Sequence, residues 1–182
     1  MDQFEFSAHL EEMERVAARQ KAARFIDNRP VGVCLNCGAM KIICYRAKRG
    51  TVLDRLIGWL ERSAVSHVEI VEHESDSHWY VIGCHIQRGG VSRARIKKSD
   101  DWLVLSLDLP AGQEAIAKHI AARLLGRPYA MHKLPRTRWR WWPTFGKGLI
   151  CTSFIATCLE LPEPDSWGIA DLLDLAFTAN MT

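Results

Sequence analysis

The stretch GLICTSFIATCL, residues 148–159, places a thiol, Cys151, directly before Thr152 and Ser153, where an apolar helical pattern begins. The thiolate is the reactive form of cysteine, and the unpaired N–H groups and dipole of a helix N-terminus favour it. A free cysteine is also a small hydrophobe, and Cys158 on the same helix reads as core packing. A thiol nucleophile needs a base, usually a histidine held on a neighbouring strand. Among seven histidines, His67 opens the alternating run SHVEIVEH. That alternation sends His67, Glu69 and Val71 to one side and Val68 and Ile70 to the other. His73 and His78 fall in a polar turn, and His9, His119 and His132 in helical or loop contexts.

The elements that must position this pair follow from pattern. MKIICYRA from Met40 reads as a buried strand, and Leu53, Leu56, Ile57 and Leu60 recur at helical spacing after Thr51, an N-cap. SHVEIVEH and WYVIGCHI flank the polar ESDSH, which predicts an antiparallel hairpin closed by Gly89 and Gly90. DWLVLSLDL is a further strand after VSRARIKK; then Ala115, Ile116, Ile120 and Leu124 mark a helix from Gln113 to Leu125, stopped by Gly126 and Pro128. Residues 129–147 are irregular, and the Cys151 helix and a last helix from about Ser166 to Phe177 follow. Strands first and helices afterwards predict an α+β layout, an antiparallel sheet with helices packed on it.

Composition sets bounds. The 182 residues suffice for one well-filled core, and 48% hydrophobic with 25% charged residues are ordinary globular values that suggest neither a disordered nor a fibrous chain. A net charge of +3 does not by itself argue for nucleic acid. No apolar run reaches the roughly 18 residues of a membrane span, and the polar, acidic N-terminus is unlike a secretory signal, so a cytoplasmic chain with reduced cysteines is expected.

The stretches MKIICYRAKRGTVLDRLIGWLERSAVSHVEIV, GCHIQRGGV, DWLVLSL and CTSFIATCLEL, spanning about Met40 to Leu173, resemble the permuted papain-like cysteine peptidases, relatives of the NlpC-like hydrolases, and most of all the small members of tailed bacteriophages. In that group a Ser-His-Val strand precedes the cysteine-bearing helix, and Ser66-His67-Val68 and Cys151-Thr152-Ser153 match the two motifs in that order. The resemblance implies a permuted papain-like domain over 40–182 in which Cys151 attacks an amide carbonyl and His67 takes the thiol proton. It implies no cofactor and no metal, a peptidoglycan peptide or related cell-wall amide as substrate, and residence in a host cytoplasm or a virion. An orienting residue is expected from the strand after His67. Position Gly83 or Cys84 cannot serve, so His85, which keeps the parity of Gly83, ranks first and Glu69 second. Ala130 stands where related chains carry an aspartate after the tyrosine, here Tyr129.

Trp139, Trp141 and Trp142, interleaved with Arg136, Arg138 and Arg140, could contact phosphates and bases. Low net charge and the absence of a nucleic-acid-binding pattern favour a flap over the thiol that contacts a glycan-peptide or acidic substrate. Residues 1–39 form a helical extension ending in CLNCG, and residues 1–38 resemble the front of a DksA/TraR-type zinc finger. Cys34 and Cys37 supply only half of a four-ligand zinc site, so no zinc is expected. Two other functions remain on this scaffold. One is lipid-directed acyl hydrolysis or transfer, and the other is a non-catalytic phage accessory role.

Overall fold

The computed structural model divides into residues 1–35 and 36–182, and it describes residues 38–179 apart from 62, 140–142, 144 and 145. The helical extension and the Cys34–Cys37 pair lie outside the described residues. The remainder is a five-stranded sheet in the order β4-β3-β2-β1-β5, antiparallel throughout, with helices packed on it.

Strand β1 (Gly38–Arg46) is the apolar run of the sequence. Met40, Ile42, Ile43 and Cys44 are all at most 1% exposed, as expected of a strand covered on both faces. Helix α1 (Val52–Leu60) starts at Thr51, whose Oγ1 accepts from the Asp54 N–H while Asp54 Oδ2 accepts from the Thr51 N–H at 2.7 Å. This capping box satisfies two otherwise orphaned donors. β2 (Val65–Glu74) and β3 (His78–His85) form the hairpin, and His73 and His78 belong to its strands rather than its turn. His73 stacks on Tyr80 at 4.1 Å. VSRARIKK, which carries alternating arginines, is itself an edge strand, β4 (Gly90–Lys97). β5 (Trp102–Leu109) pairs with β1 from Gly38↔Leu109 to Tyr45↔Trp102.

Only Lys98–Asp101 link β4 to β5, although these are the two edges of the sheet. Five flat strands would put the edges about 19 Å apart, whereas five extended residue steps span at most about 17 Å. The sheet therefore curls. Its inner face holds one core, Ile43, Val71, Trp79 and Val81, onto which Ala94 and Ile96 of β4 and Trp102 of β5 all pack. Its outer face carries Ile42, Cys44, Val68, Ile70, Ile82 and Cys84, each at most 1% exposed, under α2 (Gln113–Arg123), α4 (Cys151–Cys158) and α5 (Ile169–Ala179). The last helix begins later than its pattern suggests. Pro164–Ser166 form a 3₁₀ turn, and Asp171 Oδ2 accepts from the Gly168 N–H at 3.0 Å to start the helix proper.

Between α2 and α4 the chain makes a long loop containing the short helix α3 (Leu134–Arg138). Its ends are clamped: the Ala130 N–H donates to Leu149 O at 2.9 Å and the Leu149 N–H to Pro128 O at 3.0 Å. Gly148 permits this approach, since a Cβ there would lie 2.7 Å from Ala130 Cβ. The base of the loop is tied to the turn before β4 by Tyr129 N–H to Gly89 O at 3.1 Å. Gly90 adopts φ +148 and a Cβ on it would sit 2.0 Å from Arg127 O, so glycine is required at this junction.

Candidate active site

The β2–β3 ladder ends at Ile70↔Ile82. Beyond it the two strands carry His67, Glu69, Gly83 and His85 toward the inner face of the curl, the parity shared with Val71 and Val81. Glu69 is completely buried. Its Oε1 meets His67 Nε2 at 2.9 Å and also accepts from Arg88 Nη2. Burial works to raise the Glu69 pKa, but the hydrogen bond and charge of His67 and the charges of Arg88 and His85 outweigh it and hold the carboxyl below its ordinary range. An ionised Glu69 accepts only, so in the neutral imidazole Nε2 carries the proton and Nδ1 is the basic nitrogen.

His85 stands across from His67 with ring centroids 4.5 Å apart, edge to face. It makes no hydrogen bond to that ring; its Nδ1 accepts from the Gln87 N–H at 3.1 Å. Burial, then the positive neighbours His67 and Arg88, pull its pKa down to about 4, so it is a neutral neighbour near pH 7. The hydrogen bond expected from the following strand is thus made by Glu69 of the same strand. Gly83 explains how: a Cβ there would lie 2.6 Å from Glu69 Cγ and 2.9 Å from its Oε2. The glutamate side chain crosses the bare main chain of β3 and bends back to the ring two residues before it.

Gly83→Ala is expected to cost about 1–3 kcal/mol, because Glu69 is pinned at its carboxylate and cannot yield. The same substitution should separate Glu69 from His67. Urea unfolding and the side-chain nitrogen resonances of His67 check both; an unchanged midpoint together with an unchanged ring would refute this account of the glycine.

Cys151 is the first residue of α4. The helix start is built by Ser153, whose Oγ accepts from the Ile150 N–H at 3.0 Å and donates to Ile150 O at 3.2 Å. The thiol approaches β2 from the outer face and lies by the main chain of Val68, the residue after His67, and of Thr152. No hydrogen bond joins Sγ to the His67 ring among the described residues. The thiol is 1% exposed, and burial, then Glu61 and Cys84, push its pKa well up. The Val68 and Thr152 main-chain groups act in the opposite sense and do not prevail. The lowering expected from the helix terminus is therefore overturned, because complete desolvation of a thiolate outweighs two N–H donors. As placed, the thiol is protonated at neutral pH.

Several neighbours have no catalytic role assigned from the sequence. Cys84 donates from Sγ to Leu149 O at 3.2 Å, and burial raises its pKa to about 12. Tyr129 stands near both thiols, and its burial holds the phenol protonated. Glu61 Oε2 accepts from the Ile169 N–H at 2.8 Å, capping α5. Arg88 sits on the 3₁₀ turn Ile86–Arg88 that follows β3; a cation shortly after the second strand was its only trace. Trp139 ends α3, its N–H donating to Pro135 O at 2.8 Å, whereas Trp141 and Trp142 lie outside the described residues. Ala130 is buried with its Cβ turned to Gly148. Among the described residues no group of three or more His, Cys, Asp or Glu is arranged to hold a metal ion, and no helix is long and apolar enough to cross a membrane. No protein-family model matches the chain, and no curated protein matches it in sequence.

Proposed function

We propose that this domain is a permuted papain-like cysteine hydrolase that cleaves an amide bond, with Cys151 as nucleophile, His67 as base and Glu69 as the orienting group. One observation carries the reading. A single strand, β2, holds the His67 ring by its Nε2 so that Nδ1 is the basic atom, and its next residue, Val68, receives the thiol at the first turn of α4. In the reaction Nδ1 takes the thiol proton, Sγ bonds to the carbonyl carbon, and the proton passes to the leaving amine as the C–N bond breaks. Water then hydrolyses the thioester and regenerates the thiol. Turnover requires the buried thiol, which meets β2 from the outer face, to be uncovered and brought to Nδ1 of a ring held on the inner face. The substrate class, peptidoglycan peptide or a related cell-wall linkage, comes from the motif resemblance.

A second reading, a non-catalytic phage accessory protein that keeps the fold, is favoured by the full burial and raised pKa of Cys151. Incubation with peptidoglycan and, separately, with phospholipid vesicles distinguishes the readings by mass spectrometry of released products. New amine-ended peptides are expected from the first and no fatty acid from the second. Release of lipid product alone would move the activity to acyl lipids, and no release from either between about pH 5 and 9 would leave the accessory reading.

A further inference from the structure

We propose that Arg88 sets the protonation state of the His67–Glu69 pair and so acts as a positioning residue for the base. The inference deepens the hydrolase reading and rests on it for its catalytic meaning. Glu69 is fully buried and uses one oxygen, Oε1, for both His67 Nε2 and Arg88 Nη2. A buried carboxylate needs a compensating positive charge. Two groups can provide it, the Arg88 guanidinium, which is always charged, or the His67 ring, which must then be imidazolium with Nδ1 protonated. With the Arg88 charge beside Glu69, the carboxylate does not depend on an imidazolium at His67, which favours the neutral ring with Nδ1 able to accept the thiol proton. The side chain of Arg88 remains 24% exposed while that of Glu69 is wholly buried.

The backbone places Arg88 for this task. It closes the 3₁₀ turn between β3 and β4, where Gly89 takes φ 75 and its N–H donates to Ile86 O at 3.0 Å. Gly89 O in turn accepts from the Tyr129 N–H, so the same turn touches the base of the loop that ends at the thiol. The charged and titratable groups facing the pair are His85 on β3 and Arg88 on the turn, with Cys84 on the opposite face beside Gly83 and Asp54 of α1 acting on His85. Arg88 is the one permanent cation among them.

The test is a pH titration of the side-chain nitrogens of His67 by NMR on the full chain, for wild type, Arg88→Met and Arg88→Lys, with hydrolysis measured in parallel. In Arg88→Met the imidazolium should persist to higher pH, a rise in proton affinity on the order of tenfold, or one pH unit. The acid limb of kcat/KM should move to higher pH with it, and KM should stay close to wild type. Arg88→Lys, which keeps the charge and the fold, should recover at least half of the shift. A His67 titration unchanged in Arg88→Met, or equally displaced in both variants, overturns the proposal; if Arg88→Met does not fold, a midpoint in Arg88→Lys displaced by the full unit does so. The titration is read on the free protein, so a failure of the hydrolase reading shows as absent product while the His67 shift still appears.

Discussion

Cys151→Ala is expected to lower turnover of peptidoglycan peptide by at least about 10³-fold, and His67→Ala by about 10²–10⁴-fold. The alanine leaves no atom to form the thioester, so only uncatalysed attack by water on a bound substrate remains. Loss of the ring removes both the proton acceptor for a buried thiol and the donor to the leaving amine. The double variant should be little worse than Cys151→Ala, since the two act as one unit. Cys84→Ala is the control, because its thiol is engaged with the Leu149 carbonyl and takes no part in the proposed step; turnover within severalfold of wild type is expected. Release of peptide by Cys151→Ala at the wild-type rate would end the assignment of the nucleophile.

Glu69→Ala is expected to reduce stability by about 3–5 kcal/mol, the range for removing one partner of a buried ion pair. The side chain is wholly buried, and its loss leaves the nearly buried His67 and the Arg88 guanidinium facing a void over the bare main chain of Gly83. The lower end of the range applies if Arg88 turns into solvent. The substitution should also change the acid response. The folded-state pKa of Glu69 lies below its unfolded value, so its contribution is fully present above about pH 4.3 and is lost as pH falls through the folded pKa. Wild type should therefore lose stability steadily below about pH 4, whereas Glu69→Ala should show a flatter profile there. Urea midpoints from pH 7 down to about 2.5 give both quantities, and parallel acid limbs for the two proteins would show that Glu69 is not held as described.

The fold was legible wherever burial imposes a period. The apolar run of β1, the alternation of β2, the Thr51 cap and the Cys151 helix all follow from residue types at short range. β4 was less legible, because its arginines alternate with Ser92, Ala94 and Ile96, a core-facing side with a single large apolar residue. Within the site, the sequence determined that a cysteine opens a helix, that a histidine stands near the start of a strand, and that Glu69 shares the histidine's side of that strand.

Tertiary structure alone decided which of these meet. Glu69 reaches His67 because Gly83, on another strand, has no side chain to block the path. Arg88 joins them because the turn after β3 folds back over the same carboxylate. His85 is close to His67 yet bonds its own turn. The state of the Cys151 thiol was beyond local reasoning for the same physical cause. A helix terminus acts over one turn of chain, but desolvation sums over every group packed around the sulfur, and those come from β2, β3, α1 and the loop before α4.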